Sequence, residues 1–381
     1  MKATYRKASR STIAAVRRGH PWVFRDGLVD APAGEVVALR DERDGVAGWG
    51  LADEGPIAVR VLGRGAPPSE SLERVIGERI RRADKVRPAL LPAETDCWRV
   101  VSGAGDGLPG LVVDRYAGLA VLRVYSKAWE PHLAAVVDTI ASLPWVESVV
   151  RRLGVGAVDG RKGLEVLRGP APPSVVLVRE CGLIYMARPW VGQKTGLFLD
   201  QREHRALVRR WAPGRRTANL FAYNGGFSVA AAAGGAARVC TVDIAPDAID
   251  DAIETFRLNG ISPEAHVFDV ADAFTWRPRG TVDLLVLDPP SLTHGARSDG
   301  AAKAAYRKLH RHHGAAVARD GLLATASCTA RVSVQTWREA IHAGLQGDWS
   351  WCWSSGAPPD HPVALAHEEA QYLKFAILRR R

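Results

Sequence analysis

No stretch of this 381-residue chain holds the roughly 18 consecutive uncharged apolar residues that a membrane-spanning helix needs. Its basic start, MKATYRKASRSTIAAVRRGHPW, lacks the apolar run of a secretory signal, so neither export nor membrane insertion is expected. Cysteine is sparse: Cys97, Cys181, Cys240, Cys328 and Cys352 are odd in number, widely spaced, and include neither a C-x-x-C pair nor a metal-ligand cluster. A disulfide framework is therefore not expected, no metal is assigned, and the predicted location is cytoplasmic. Internal repeats and long low-complexity tracts are also missing.

What is present is an ordinary globular composition, 47% hydrophobic and 24% charged, at a length that predicts two or three domains. Lys and Arg outnumber Asp and Glu by 51 to 41, a net charge of +10 with a pI near 9.6. That excess suits a polyanionic partner, and equally suits a protein that is simply basic.

Residues 1–68 hold short apolar stretches broken by Gly, Pro and Asp, such as GEVVALRD and GPIAVRVLG, and read as a small β-rich unit. Residues 69–185 mix both periodicities, with a helix at SLERVIGERIRRADKVR, a hairpin in GLPGLVVDRYAGLAVLRVYS, a helix at HLAAVVDTIASL and strands at SVVRRLG and SVVLVREC. From 186 to 381 strand and helix alternate: TANLFAY, GFSVAAAAGG, ARVCTVD, APDAIDDAIETFRLNG, HVFDV, VDLLVLD, AAKAAYRKLHRHHGAAVA and GLLATASC. Such alternation specifies an α/β unit with a mostly parallel sheet covered by helices, whose ligands sit at the carboxyl ends of the strands.

Those strand ends carry the informative residues. The first is followed by Ala222-Tyr223-Asn224-Gly225-Gly226-Phe227-Ser228, a glycine turn entering a helix, where the backbone can approach a ligand. The next ends at Asp243, eighteen positions after Gly225, where a carboxylate can accept ribose hydroxyls. Then come Asp272 and Phe274, an acid and a ring placed for an adenine, and Asp288-Pro289-Pro290, where two prolines end the strand and stiffen the loop. An adenosine-containing cofactor fits this set, although a glycine turn alone is more often only a tight βα connection and Asp-Pro-Pro only a rigid turn. The turn lacks G-x-G-x-x-G, which argues against a nicotinamide-dependent dehydrogenase.

The stretches GQKTGLFLDQREHR (192–205), NLFAYNGGFSV (219–229), VLDPPS (286–291), TASC (325–328), DHPV (360–363) and YLKF (372–375) resemble the ribosomal RNA large subunit methyltransferase I family. RRGHPWVF (17–24) resembles that family's N-terminal PUA domain, and GDGLPGLVVDRY (105–116) its central α+β domain, so the likeness spans nearly the whole chain. It implies a C-terminal Rossmann-like class I methyltransferase fold that binds S-adenosylmethionine, closed by an antiparallel pair from GDWSWCWSS and QYLKFAILRR. Position by position it implies that Gly225 and Gly226 pack near the methionine part, Asp243 binds the ribose and Asp272 the adenine. It also implies that Gln201 and Arg202 close over the cofactor, with Phe221, Tyr223, Asp288 and Pro289 lining the same site. Read from its residues alone, LDQREHR is equally a solvated helix start.

Cytosine carbon 5, the position that the resemblance implies, is a poor nucleophile, and its methylation usually needs a thiolate at carbon 6. Cys328, at the end of GLLATASC, is the candidate, with Asp288 on the same rim to hydrogen-bond an extruded base and Pro290 beside it. The other four cysteines read as small buried hydrophobes. Arg17, Arg18 and His20 offer charge and stacking for RNA, expected to be 23S ribosomal RNA or an assembling large subunit, while Trp22 reads as core. A homodimer is left open. The chain departs from the family after Cys328, at Thr329-Ala330-Arg331, and after Asp-Pro-Pro, at Leu292-Thr293-His294-Gly295-Ala296-Arg297. The run His310-Arg311-His312-His313 reads as an exposed helical face rather than a metal site. Two other readings remain: a methyltransferase acting on a base nitrogen, with Cys328 structural, and a noncatalytic RNA-binding assembly factor.

Overall fold

The computed structural model describes residues 1–25, 31–154, 162–192, 194–292 and 299–381. Gln193 and the 293–297 segment singled out above lie outside the described residues. The chain groups into two compact units: residues 1–180, 187–199 and 359–368 form one, and residues 181–186, 200–358 and 369–381 the other.

In the first unit, strands β1 (Thr4–Lys7), β2 (Trp22–Phe24), β3 (Val36–Arg40), β4 (Val46–Ala52) and β5 (Ile57–Arg64) form a sheet in the order β1-β3-β4-β5-β2. Only β1 and β3 run parallel. Helix α1 (Arg10–Arg18) begins where the Ser9 hydroxyl accepts from the Thr12 amide and stops at Gly19, whose φ of 97° is the left-handed conformation favoured at helix ends.

A second sheet, ordered β10-β9-β8-β7-β6, contains β6 (Cys97–Ser102), β7 (Leu111–Tyr116), β8 (Leu119–Val124), β9 (Ser148–Leu153) and β10 (Gly163–Arg168). The expected hairpin is β7 with β8, and the one parallel pair, β8 with β9, is joined through α3 (Leu133–Ala141). Helix α2 (Leu72–Val86), capped by Ser71, puts Leu72, Ile76, Ile80 and Ala83 into a core shared with Val136, Ile140, Trp98 and Trp129. Its apolar residues recur every three or four positions, which is why the sequence declares it.

Two sequence-distant stretches complete this unit. Asp360 accepts the Arg99 amide at 3.0 Å, and a Cβ on Gly105 would stand 2.0 Å from the Pro362 carbonyl oxygen, so only glycine admits the 359–368 segment. From the 187–199 segment, Thr195 hydrogen-bonds Tyr116 at 2.7 Å and donates to Asp114 at 2.8 Å.

Strands β11 (Val176–Glu180) and β12 (Leu183–Ala187) lead to the second unit. Its sheet is built from β13 (Arg216–Leu220), β14 (Arg238–Asp243), β15 (Val267–Val270), β16 (Val282–Leu287), β17 (Val317–Ser327), β18 (Trp349–Ser355) and β19 (Lys374–Arg380), in the order β15-β14-β13-β16-β17-β19-β18. The first five are parallel, and β19 is antiparallel to both β17 and β18, the closing pair that the resemblance implies. Helices α4 (Arg202–Trp211), α5 (Gly226–Ala233) and α6 (Pro246–Leu258) pack in succession, and α7 (Asp299–Gly314) packs on α8 (Val334–Gly344). Strand order reverses at β13, and sheets of this kind bind ligands outside the carboxyl ends of the strands at such a point.

Three local expectations change. The first strand stops at Leu220 rather than Tyr223, because Phe221 and Tyr223 both take positive φ. Helix α7 ends at Gly314, and β17 already begins at Val317, where pairing of Val317 with Val282 outcompetes helix continuation through the alanines. The histidine run is not an exposed face: His310 and His313 are buried, and only Arg311 of the run is fully exposed. The Nδ1–H of His310 donates to the Tyr306 carbonyl at 2.7 Å, leaving Nε2 to accept from the Thr325 hydroxyl at 3.0 Å. Burial pushes both His310 and His313 down to about 4, so both are neutral.

Candidate active site

The loop after β13 is wound by alternate left-handed residues, Phe221 at φ 59°, Tyr223 at 50° and Gly225 at 76°. Non-glycine residues in that region cost on the order of 1–3 kcal/mol each and persist only where the surroundings impose them. The imposing groups are visible: Ala222 N–H donates to the Val242 carbonyl at 3.0 Å, Tyr223 N–H to the Asp243 carboxylate at 2.8 Å, and the Asn224 amide to the Met186 carbonyl at 3.0 Å. A Cβ on Gly225 would meet that of Ala252 at 2.6 Å. Gly226 differs, because it has ordinary helical geometry and a Cβ there meets the Arg205 side chain at 3.3 Å. Buried Asn219 donates to Ser228 at 3.0 Å and ties the strand to helix α5.

Asp243 ends β14 and takes the Ala245 amide at 3.0 Å as well as that of Tyr223, so it shapes the loop. An ionised carboxylate has further lone pairs for a ribose. Asp272 is exposed after β15 and accepts the Phe274 amide at 2.9 Å. The rings of Phe221 and Phe274 meet edge to face, centroids 4.9 Å apart, joining two loops at the position expected for an adenine. The strained turn, the acid beside it and the aromatic pair fit an adenosine-bearing cofactor.

Gln201 and Arg202 are buried, at 2% and 1% exposure, with His204 at 0%, so LDQREHR is not a solvated helix start. The Gln201 amide nitrogen donates to Asp288 at 2.9 Å. Its carbonyl oxygen must then face His204 Nδ1, its hydrogen-bond partner, which makes Nδ1–H the donor. Burial pushes His204 down to about 3 despite nearby Asp200, so the ring is neutral and Nε2 accepts from the Ser355 hydroxyl at 3.1 Å. The imidazole lies flat on Phe375, 4.0 Å between centroids. A polarised chain from Ser355 through His204 and Gln201 thus terminates on Asp288.

Asp288 follows β16 and Cys328 follows β17, adjacent parallel strands in which Leu287 pairs with Thr325. Both residues are partly exposed; Pro289 is buried and Pro290 exposed. Around Cys328 the packing is polar. Tyr306 donates to Ser327 at 2.8 Å and hydrogen-bonds Thr329 at 3.0 Å, while the buried Lys374 ammonium donates to the carbonyls of Thr329 and Val332. Burial holds Tyr306 up to about 12 and Lys374 down to about 8. Of the remaining cysteines, Cys97 is buried as expected, but Cys181 and Cys240 are only partly buried and Cys352 is exposed, because it sits on β18 at the sheet edge. Burial with nearby Asp269 raises the Cys240 thiol to about 12.

In the other unit, Arg17 and Arg18 are exposed on the last turn of α1, with Arg17 bridged to Asp41 at 2.7 Å. His20, Trp22, Phe24 and His367 form one aromatic cluster, Trp22 and His367 being 4.2 Å apart. Trp22 is only partly buried rather than core, and Phe24 is 51% exposed. Sequence reasoning misses His204, Ser355, Tyr306 and Lys374 as parts of the site. His204 and Lys374 stand inside the LDQREHR and YLKF stretches, which is a usable signal, whereas nothing local marks Ser355 or Tyr306.

Comparison with known proteins agrees with this geometry. A family model for S-adenosylmethionine-dependent methyltransferases matches residues 135–335, and one for PUA-like domains matches residues 9–64. A Deinococcus radiodurans protein named ribosomal RNA large subunit methyltransferase is 36% identical, covering 98% of this chain and 96% of its own. An Escherichia coli K12 protein named ribosomal RNA large subunit methyltransferase I is 30% identical over 94% of both chains. Among solved structures, one described as a methyltransferase complexed with SAH superposes with a TM-score of 0.85 at 23% identity over 100% of both chains. One described as a SAM-dependent methyltransferase from Streptococcus mutans gives 0.84 at 22% identity, over 98% of this chain and 99% of that one. With relatives matching end to end and a sheet of the required order, the chain belongs to the family of S-adenosylmethionine-dependent ribosomal RNA large subunit methyltransferases.

Proposed function

We propose that this protein forms 5-methylcytosine in 23S ribosomal RNA, with Cys328 as nucleophile and Asp288 hydrogen-bonded to the target base. The observation that carries the reading is a partly exposed cysteine and a carboxylate at the ends of neighbouring parallel strands, next to the strained cofactor loop. In this scheme the Cys328 thiolate bonds to carbon 6 of an extruded cytosine, and the electron pair of the 5,6 double bond moves toward carbon 5. Asp288 stabilises the electron-rich ring through its amino group or protonated ring nitrogen. S-adenosylmethionine supplies an electrophilic methyl group. Loss of the carbon 5 proton to a base then restores the double bond and expels the thiolate.

Gly225, Gly226, Phe221, Tyr223, Asp243, Asp272, Gln201, Arg202 and Pro289 would hold the cofactor, and Pro290 would face the base. Arg17, Arg18 and His20 in the PUA-like domain would engage RNA, with domain divisions at residues 68 and 185 and a cytoplasmic site of action. The test is nucleoside mass spectrometry of ribosomal RNA incubated with the wild type and Cys328→Ala. Retained S-adenosylmethionine binding with no 5-methylcytosine is the expected result. Undiminished 5-methylcytosine would remove the covalent mechanism, and a methylated ring or exocyclic nitrogen from the wild type would replace the assigned product.

A further inference from the structure

Lys374 is 3% exposed, a severe environment for an ammonium group. Its strand places it beside the candidate nucleophile: in the antiparallel pair of β17 and β19, Lys374 stands opposite Ser327, the residue before Cys328. Its Nζ donates to the Thr329 carbonyl at 2.7 Å and the Val332 carbonyl at 2.6 Å, so it grips the loop that leaves Cys328. Both acceptors are neutral, and no carboxylate within salt-bridge distance of Lys374 is found among the described residues. The group that favours its charged form against burial is Cys328.

A buried cation without a carboxylate is costly unless another anion compensates it. A thiolate at Cys328 is such an anion, and the stabilisation is mutual. Among the described residues, Asp288 from the end of β16 and Tyr306 from α7 also act in this region. Tyr306, held up to about 12, stays neutral, and Asp288 opposes a neighbouring negative charge. A thiolate next to that carboxylate therefore needs a cation.

We propose that Lys374 is the positioning residue that supplies this cation, pairing with a Cys328 thiolate and fixing the loop of residues 328–332 by its two carbonyl hydrogen bonds. The proposal rests on Cys328 being the nucleophile. It explains why a lysine occupies the interior end of β19, where an apolar residue would otherwise be favoured.

The experiment is alkylation of the full-length protein with iodoacetamide across pH, following the Cys328 peptide by mass spectrometry, so that the other cysteines do not interfere. The wild type is expected to alkylate with a midpoint below the ordinary thiol value of about 8.5. Lys374→Gln, which keeps a donor but removes the charge, is expected to move that midpoint up by about one unit and slow alkylation at neutral pH up to about tenfold. Lys374→Arg should restore the wild-type profile. An unshifted profile in Lys374→Gln, or a wild-type midpoint at or above the ordinary value, overturns the proposal; the second reading stands even if a variant fails to fold. Full methylation by Cys328→Ala would instead sink the nucleophile assignment and leave the alkylation result to decide the charge pairing by itself.

Discussion

The side-chain amide of Gln201 donates to Asp288 at 2.9 Å, and the orientation of that amide is dictated from behind by neutral His204. Gln201, proposed to close over the cofactor, thereby also fixes the Asp288 side chain. Gln201→Leu removes a hydrogen bond to a charged group, of the order of 1.5–3 kcal/mol, so single-turnover methyl transfer should fall about ten- to a hundredfold. Calorimetry should find S-adenosylmethionine affinity lowered by a smaller factor. A large loss of affinity at undiminished turnover would limit Gln201 to the cofactor.

Gly225→Ala should be far more damaging than Gly226→Ala. The first forces alanine into φ 76° with its Cβ 2.6 Å from that of Ala252, whereas the second needs no positive φ and its Cβ stands 3.3 Å from the Arg205 Cδ. The expected cost for Gly225→Ala is about 1–3 kcal/mol of stability together with weakened cofactor binding. Denaturant unfolding of the two variants checks it; equal midpoints would contradict the steric explanation.

Acid should destabilise the protein through three buried histidines. His204 is depressed to about 3 and His310 and His313 to about 4, against an ordinary value of 6.5. Below 6.5 the unfolded chain binds protons that the folded chain refuses, so their contribution is complete above that pH and is lost as pH falls toward about 4. Each contributes a slope of up to about 1.4 kcal/mol per pH unit. Urea midpoints measured between neutral pH and pH 5 should show it, and His310→Gln should flatten the slope by one proton's worth. An unchanged slope would mean that His310 is charged or accessible.

Replacing Arg17 and Arg18 together by alanine should weaken RNA binding evenly across sequences and lower the salt slope by about two, one for each phosphate no longer neutralised. Arg17 must give up its bridge to Asp41 to reach a phosphate, so Arg18→Ala alone should account for the larger part of the lost affinity. A salt response identical to the wild type would remove this surface from the RNA interface.

The parallel sheet is legible in the sequence because four of its five parallel strands, β13 to β16, end at or within a few residues of a glycine, an acid or a proline, and these are local signals. Cys328 and Asp288 are legible for the same reason, as strand-end residues. The histidine run misleads because polar residues on a helix usually face water, whereas Tyr306 and Thr325 offer His310 the hydrogen-bond partners that offset its burial. Phe221 and Tyr223 look like strand, since β propensity carries no warning of a left-handed turn imposed by Asp243.

From its sequence alone this protein holds an α/β unit whose strand ends suit an adenosine-bearing cofactor, because periodicity and strand-end chemistry are written within a few residues of one another, and its family resemblance adds the methyl donor and the PUA-like domain. Folding alone decided that Ser355, His204 and Gln201 line up on Asp288, and that Lys374 stands opposite Ser327, the residue before Cys328. Most of those partners lie far apart along the chain, and hydrogen bonding between them depends on distance in space, which no local pattern encodes.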